Sequence, residues 1–155
     1  MDTSKHYLTK EKLEELKTEL DFLKKKKRKE IAEDLEYARA LGDLSENAEY
    51  HAAREMQASV EDRIMKIEEI LKNAEIVTFH HSEVIQIGST VTVQKATDKL
   101  ERTYTIVGSE EANTAQAKIS NISPLGKELM GKKKGDTFKL TTPAGVVDYK
   151  IISIA

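Results

Sequence analysis

Apolar residues recur at helical spacing through the first half of the chain. Leu13, Leu16, Leu20 and Leu23 stand 3, 4 and 3 apart, which is the seam of a coiled coil. Ile31, Leu35 and Ala38 resume the stripe after a charged interval. Ala53, Met56, Val60, Ile64, Ile67 and Leu71 form a second stripe, again at spacings of 3 or 4. Between the stripes lies Gly42, the only glycine in the first 87 residues, and no proline precedes Pro124. Folding the chain about Gly42–Leu44 sets Leu20 across from Ile67, Leu23 from Ile64 and Ile31 from Met56. These mirrored seams predict an antiparallel helical hairpin with arms of about 30 residues, on the order of 45 Å long. A parallel dimer through the same leucines is the rival, opposed by Gly42 and by the mirror agreement. Thr9 is the expected N-cap of the first helix, with Glu11 in its first turn.

The pattern changes after about Ala74. Glu75 to His81 reads as a linker or a first strand. The other six glycines and both prolines follow from Gly88 onward. Short runs of β-type residues predict strands at Thr90–Gln94, Arg102–Val107, Thr137–Thr141 and Val146–Ile154, with Pro143-Ala144-Gly145 turning between the last two. Ser123, Pro124 and Gly131 mark the cap, first position and end of one short helix. The expected class is α+β: a coiled-coil hairpin over residues 1–76, then a small, mostly antiparallel domain over 77–155.

Composition narrows the function. Charged residues make up 34% and aromatics 5%, with no Trp, which suits long solvated helices better than one large core. The net charge of −2 gives no general argument for nucleic-acid binding, so any basic surface is local. The chain has no cysteine, which excludes disulfides, thiolate metal sites and thiol nucleophiles. No apolar run approaches the roughly 18 residues of a membrane span, and residues 1–9 lack the apolar core of a signal peptide. A soluble cytoplasmic protein without a membrane partner is expected.

Asp43 and Glu46 sit at the expected hairpin turn. One reading makes Asp43 the N-cap of the second helix, with Glu46 three residues later completing a capping box. The other makes them metal ligands. Magnesium wants near-octahedral oxygen coordination, so two acids hold a useful ion only if another molecule supplies the remaining ligands. Lys24-Lys25-Lys26-Lys27-Arg28-Lys29 spans about 600° of helix and cannot lie on one face. It is either a solvated stretch with Lys27 lying over the seam or an attraction for phosphates or an acidic surface. Tyr50 has the spacing to pack near Ala38, and Glu49 suits a helix N-terminus. Asn47 has a supporting role through backbone bonds. His80-His81 reads as a surface pair, because neighbours on a strand point to opposite faces.

The segment Gly42-Asp43-Leu44-Ser45-Glu46-Asn47-Ala48-Glu49-Tyr50-His51-Ala52-Ala53-Arg54-Glu55 resembles the signature of the bacterial transcript cleavage factors of the GreA/GreB family, nearer its GreA branch. The likeness extends to Leu13-Glu14-Glu15-Leu16, Ser123-Pro124-Leu125-Gly126 and Leu129-Met130-Gly131-Lys132. It implies a transcription elongation factor whose partners are bacterial RNA polymerase and the 3′ end of backtracked nascent RNA. The hairpin of such a factor enters the polymerase secondary channel. Its tip acids, matching Asp43 and Glu46, help hold a magnesium ion shared with the polymerase, which then cleaves the RNA. The factor is thus a monomeric stimulator and not itself an enzyme. The resemblance makes Arg39, Asn47, Glu49, Tyr50 and Arg54 the candidates for contact with RNA or polymerase, Arg39 and Arg54 matching the family's basic positions. It also implies an FKBP-like C-terminal domain that docks on the polymerase, with an edge or loop near Asn121–Gly126 as the candidate docking element. The rivals are an inhibitory homologue that occupies the same channel and an FKBP-type folding helper. The second is opposed by the few aromatics in that half: Phe79, Tyr104, Phe138 and Tyr149.

Overall fold

The computed structural model describes residues 5–78 and 82–155. Phe79, His80 and His81 therefore lie outside the described residues. The chain divides into two compact units: Glu11–Asn73, and a second in which the first strand joins Ala74–Ala155. Strand pairing accounts for this grouping. β1 (His6–Leu8) and β2 (Ala74–Ile76), which precede and follow the hairpin in the chain, form a parallel pair, with Tyr7 opposite Glu75.

The first unit is the hairpin. It contains α1 (Lys10–Phe22), a π-helical turn (Leu23–Lys27), α2 (Arg28–Ala40) and α3 (Ala48–Lys72). Ile31, Leu35, Ala53, Val60 and Ile64 form its buried cluster, with Leu20, Leu23 and Tyr50 packed against it. Met56, expected in the seam, is 48% exposed, and Gln57 is half-buried instead. The reason is register. Tyr50, Ala53, Gln57, Val60, Ile64 and Ile67 keep strict alternation of 3 and 4, which residue 56 breaks. Leu71, also expected in the seam, is half-buried, and its neighbour Ile70 is buried instead.

The π-helical turn solves a register problem in the facing arm. Strict alternation from Leu13, Leu16, Leu20 and Leu23 would continue through positions 27, 30, 34 and 37. The buried residues are Ile31, Leu35 and Ala38, each one position late. A π-turn bonds i to i+5 and so absorbs one extra residue; here the Arg28 N–H donates to the Leu23 carbonyl. Deleting Lys25 should therefore turn the segment α-helical with the seam intact. Thermal melting should give a Tm within about 2 °C of the parent. Deleting Glu33, beyond the π-turn, should rotate the distal stripe by about 100°, expose Leu35 and Ala38, and lower Tm by roughly 10 °C or more.

The basic run is engaged within the hairpin. Lys24 pairs with Glu68, Lys25 with Asp21 at 2.7 Å, Lys27 with Glu30 at 3.2 Å and Lys29 with Glu33 at 3.9 Å. Lys26 lies over the Phe22 ring, 5.8 Å from its centroid. The Arg28 guanidinium donates to both oxygens of Glu61 at 2.7 and 2.6 Å. Arg63 and Glu19 form a similar fork at 2.7 and 2.8 Å, and these bonds hold the Glu19 carboxyl below its ordinary pKa. Exposed pairs contribute little stability singly. The forked cross-arm pairs add geometric specificity to the antiparallel register.

The second unit is built on a curled sheet in the order β5–β4–β3–β7–β6: β3 (Thr90–Lys95), β4 (Glu101–Val107), β5 (Lys118–Ser120), β6 (Thr137–Thr142) and β7 (Gly145–Ile154). All neighbours are antiparallel except β4 and β5. Apolar side chains alternate along the strands, so one face collects Val91, Val93, Ile106, Phe138 and Ile151 over Ile85 and Leu129. Helix α4 (Pro124–Leu129) starts where expected, the Ser123 hydroxyl accepting from the Gly126 N–H at 3.1 Å. β2 falls at the start of the stretch read as a linker or a first strand, whereas β1 and β5 carry no alternation long enough to predict. Among the described residues, no helix is long and apolar enough to cross a membrane.

Candidate functional site

The turn between α2 and α3 begins at Leu41 and ends at Asn47. Gly42 adopts φ +126°, a conformation that side-chain-bearing residues rarely take. This accounts for the single glycine in the hairpin. Leu41, Asp43, Leu44, Ser45 and Glu46 are all exposed.

Asp43 is not the helix cap. Its Oδ1 accepts from the Ser45 N–H at 3.0 Å and from the Ser45 hydroxyl at 2.9 Å, a local Asx-type turn. These two bonds favour the ionised form and hold the carboxyl below its ordinary pKa. Oδ2 remains for an external partner. Glu46 is exposed one residue before the cap.

The cap is Asn47. Its Oδ1 accepts from the Tyr50 N–H at 3.0 Å. Its Nδ2 donates to the Ala38 carbonyl at 2.6 Å. Asn47 is only 8% exposed, so it is turned into the hairpin. The capping-box pattern of Asp43 and Glu46 concealed this, because Asn47 satisfies the cap preference equally well four residues later. The Asn47 signal was its position immediately before Ala48-Glu49, where an acid follows in the first turn.

The other candidates surround this turn. Arg39 is exposed in the last turn of α2. Arg54 is exposed, and its guanidinium donates to Gln57 Oε1 at 2.7 Å. Glu49 is exposed in the first turn of α3. Tyr50 is half-buried against the hairpin cluster, and its ring meets His51 edge-on at 5.9 Å. His51 Nε2 lies 3.4 Å from the Ser45 carbonyl.

Asp43 and Glu46 are hard oxygen donors of the kind magnesium takes. Among the described residues, no three His, Cys, Asp or Glu side chains converge as a metal site. The pair therefore fits as part of a coordination shell completed by another molecule.

A helical hairpin that carries exposed acids at its turn, continuous in chain with a separate sheet unit, belongs to the class of proteins that present charge at the end of a coiled coil. The N-terminal family model for transcription elongation factors matches residues 6–76, and the GreA/GreB C-terminal model matches residues 80–155. The chain is 45% identical to transcription elongation factor GreA of Bacillus cereus strain AH187 over 157 aligned positions, covering 99% of each. It is 48% identical to the GreA of Caldanaerobacter subterraneus subsp. tengcongensis over 149 positions, covering 95% of each. The crystal structure of GreA factor homolog 1 of Thermus thermophilus, 30% identical, covers 97% of this chain and 99% of that one with a TM-score of 0.43. The chain belongs to the GreA/GreB family of transcription elongation factors.

Proposed function

We propose that this chain acts as a monomeric cytoplasmic factor that binds bacterial RNA polymerase and stimulates the polymerase's own cleavage of backtracked RNA. It is not itself the nuclease. The observation that carries this reading is the exposed Asp43 and Glu46 pair on the hairpin turn, with Asp43 held in its charged form by Ser45. Two helices side by side are narrow enough to enter a channel that excludes a globular domain. Asp43 and Glu46 would contribute oxygens to a magnesium ion shared with the polymerase active centre. Such an ion, when bound, supplies charge stabilisation for an in-line displacement at phosphorus. The chain's part is to present two carboxylates at a fixed point.

Arg39 and Arg54 are the residues proposed to meet RNA phosphates, with Glu49 and Tyr50 at the edge of the contact. The lysine run is already paired along the hairpin. Replacing Arg39 by Gln should raise the half-saturating factor concentration about threefold to tenfold, with a shallower salt dependence. Replacing Lys25 by Gln should change it less than twofold. Titrations of cleavage rate at several salt concentrations check both values.

The test of the function is a halted, backtracked polymerase complex carrying 3′-labelled RNA. Rapid release of short labelled fragments on adding this protein with magnesium supports the reading. Binding that blocks cleavage would instead make the chain an inhibitory occupant of the channel. The folding-helper alternative has little support, because Leu129, Phe138 and Ile151 fill the space between sheet and helix in the second unit.

A further inference from the structure

We infer that Asn47 is the positioning residue for the acidic turn: one side chain ties the end of α2 to the start of α3 and so fixes where Asp43 and Glu46 stand. The inference rests on the cleavage-stimulation reading.

Helix ends leave backbone groups without partners, N–H groups at the start and carbonyls at the finish. Asn47 meets both needs at once. Its Oδ1 takes the Tyr50 N–H of α3 at 3.0 Å, and its Nδ2 supplies a donor to the Ala38 carbonyl of α2 at 2.6 Å. That carbonyl also accepts from the Leu41 N–H at 3.1 Å, so both of its lone pairs are used. Ala38 is fully buried, and its small side chain leaves room for Asn47 to reach the backbone. Asn47 is the one buried polar side chain among the described residues of the hairpin. A buried amide with both ends satisfied allows a single geometry, which is why such groups specify structure more than they stabilise it.

The bond closes the turn into a loop between Ala38 and Asn47. Inside the loop, Gly42 sets the reversal and Ser45 holds Asp43. His51, one turn into α3, reaches the Ser45 carbonyl at 3.4 Å. Glu46 is covalently next to Asn47, so a shift of Asn47 moves that carboxylate directly. Without the Nδ2 bond the two helix ends are joined only by the loop backbone and by apolar packing around Leu35, Ala53 and Tyr50, which is non-directional. A misplacement of about 1 Å can then cost on the order of a hundredfold in rate, because reacting groups work within narrow limits of distance and angle.

Neither of the two other strong capping residues does both jobs from this position. Asp and Ser cap a helix about as well as Asn. Asp cannot donate to a carbonyl, and Ser is too short to cap and bridge together. Asn47→Asp and Asn47→Ser therefore keep the cap and cut the tie.

The experiment uses the full chain with the backtracked complex, and each variant is titrated to saturation. The expected result is a maximal cleavage rate reduced at least fivefold, a half-saturating concentration within twofold of the parent, and an unchanged far-ultraviolet circular dichroism spectrum. More magnesium should be needed to reach half of the residual rate. A residue that merely held the fold together would move the spectrum and the half-saturating concentration together. A maximal rate within twofold of the parent for both variants overturns the inference. A second readout separates this failure from failure of the functional reading. Amide hydrogen exchange of the free chain should quicken at least tenfold at Leu41 and Ser45, the two bonded amides of the turn, in both variants, with Val60–Ile67 unchanged. If the parent itself stimulates no cleavage, the functional reading falls, and the exchange data still decide the tie. Unchanged exchange at Leu41 and Ser45 overturns it.

Discussion

Replacing Asp43 by Asn and Glu46 by Gln together should reduce stimulated cleavage by about a hundredfold or more while leaving the hairpin folded. The substitutions remove both charges and almost no volume. Asn supports an Asx-type turn as well as Asp does, so Ser45 keeps its partner at residue 43. Neither acid caps α3, since that place belongs to Asn47. Helicity and Tm should stay within error of the parent. Removing a charged group that acts only as the reaction proceeds lowers the maximal rate more than the affinity. The half-saturating concentration should therefore change by less than about threefold. Retained stimulation in the double variant would remove the metal role and leave the acids as solvated turn residues.

The Ser45 bonds to Asp43 carry their own pH prediction. Asp43 has a folded pKa below its ordinary value because it accepts two bonds from Ser45. A depressed carboxyl favours the folded turn above the unfolded pKa, and that benefit is lost as pH falls through the folded value. Asp43 thus stays charged throughout any assay near neutrality. Ser45→Ala removes the hydroxyl bond but keeps the backbone one, so the Asp43 carboxyl should titrate at higher pH. NMR titration of the Asp43 side-chain carbonyl in parent and variant reads the shift directly.

The hairpin was legible because its two stripes share one period and one centre. Leu20, Leu23, Ile31 and Ile64 were placed correctly by spacing alone. Met56 was misplaced because its hydrophobicity outweighed a one-residue departure from the seam, while polar Gln57 kept the register. The π-turn was hidden for a related reason. A lone extra residue in a charged interval looks the same whether the backbone absorbs it or the stripe simply pauses. The tip acids were found by type and position. Asn47 was undervalued because its bond to Ala38 joins residues on two helices, and no local pattern records such a partner. In the second unit, alternation and turn residues gave β3, β4, β6 and β7 to within a residue or so. β1, β2 and β5 have three residues each and exist because distant strands accept their backbone bonds.

Gly108→Ala should destabilise the second unit by about 3 kcal/mol, at the upper end of the usual cost of overpacking, while the hairpin remains helical. A Cβ at this position would lie 1.9 Å from the Tyr7 carbonyl oxygen. The obstacle is backbone, so no side-chain rotation relieves it. Either β1 or the end of β4 must move. β1 is held there by several bonds at once. Tyr7 and its neighbours pair with β2, the Val77 N–H donates to the Leu8 carbonyl at 2.9 Å, and the Thr9 N–H and hydroxyl both donate to Glu111 at 2.8 Å. Leu8 is fully buried, so lifting β1 also exposes its side chain at a cost of about 2 kcal/mol. Relief of the clash therefore competes directly with this set of contacts, and either outcome costs stability. Urea unfolding followed by Tyr absorbance reports chiefly the sheet unit, and ellipticity at 222 nm reports chiefly the helices. The expected signature is an earlier Tyr transition with the helical transition nearly unmoved. Trimming by a protease at residues 5–9 should also become faster. A variant with both transitions unchanged would mean that β1 is not seated on Gly108 in solution, and the parallel β1–β2 pair would then have to be held by its own hydrogen bonds alone.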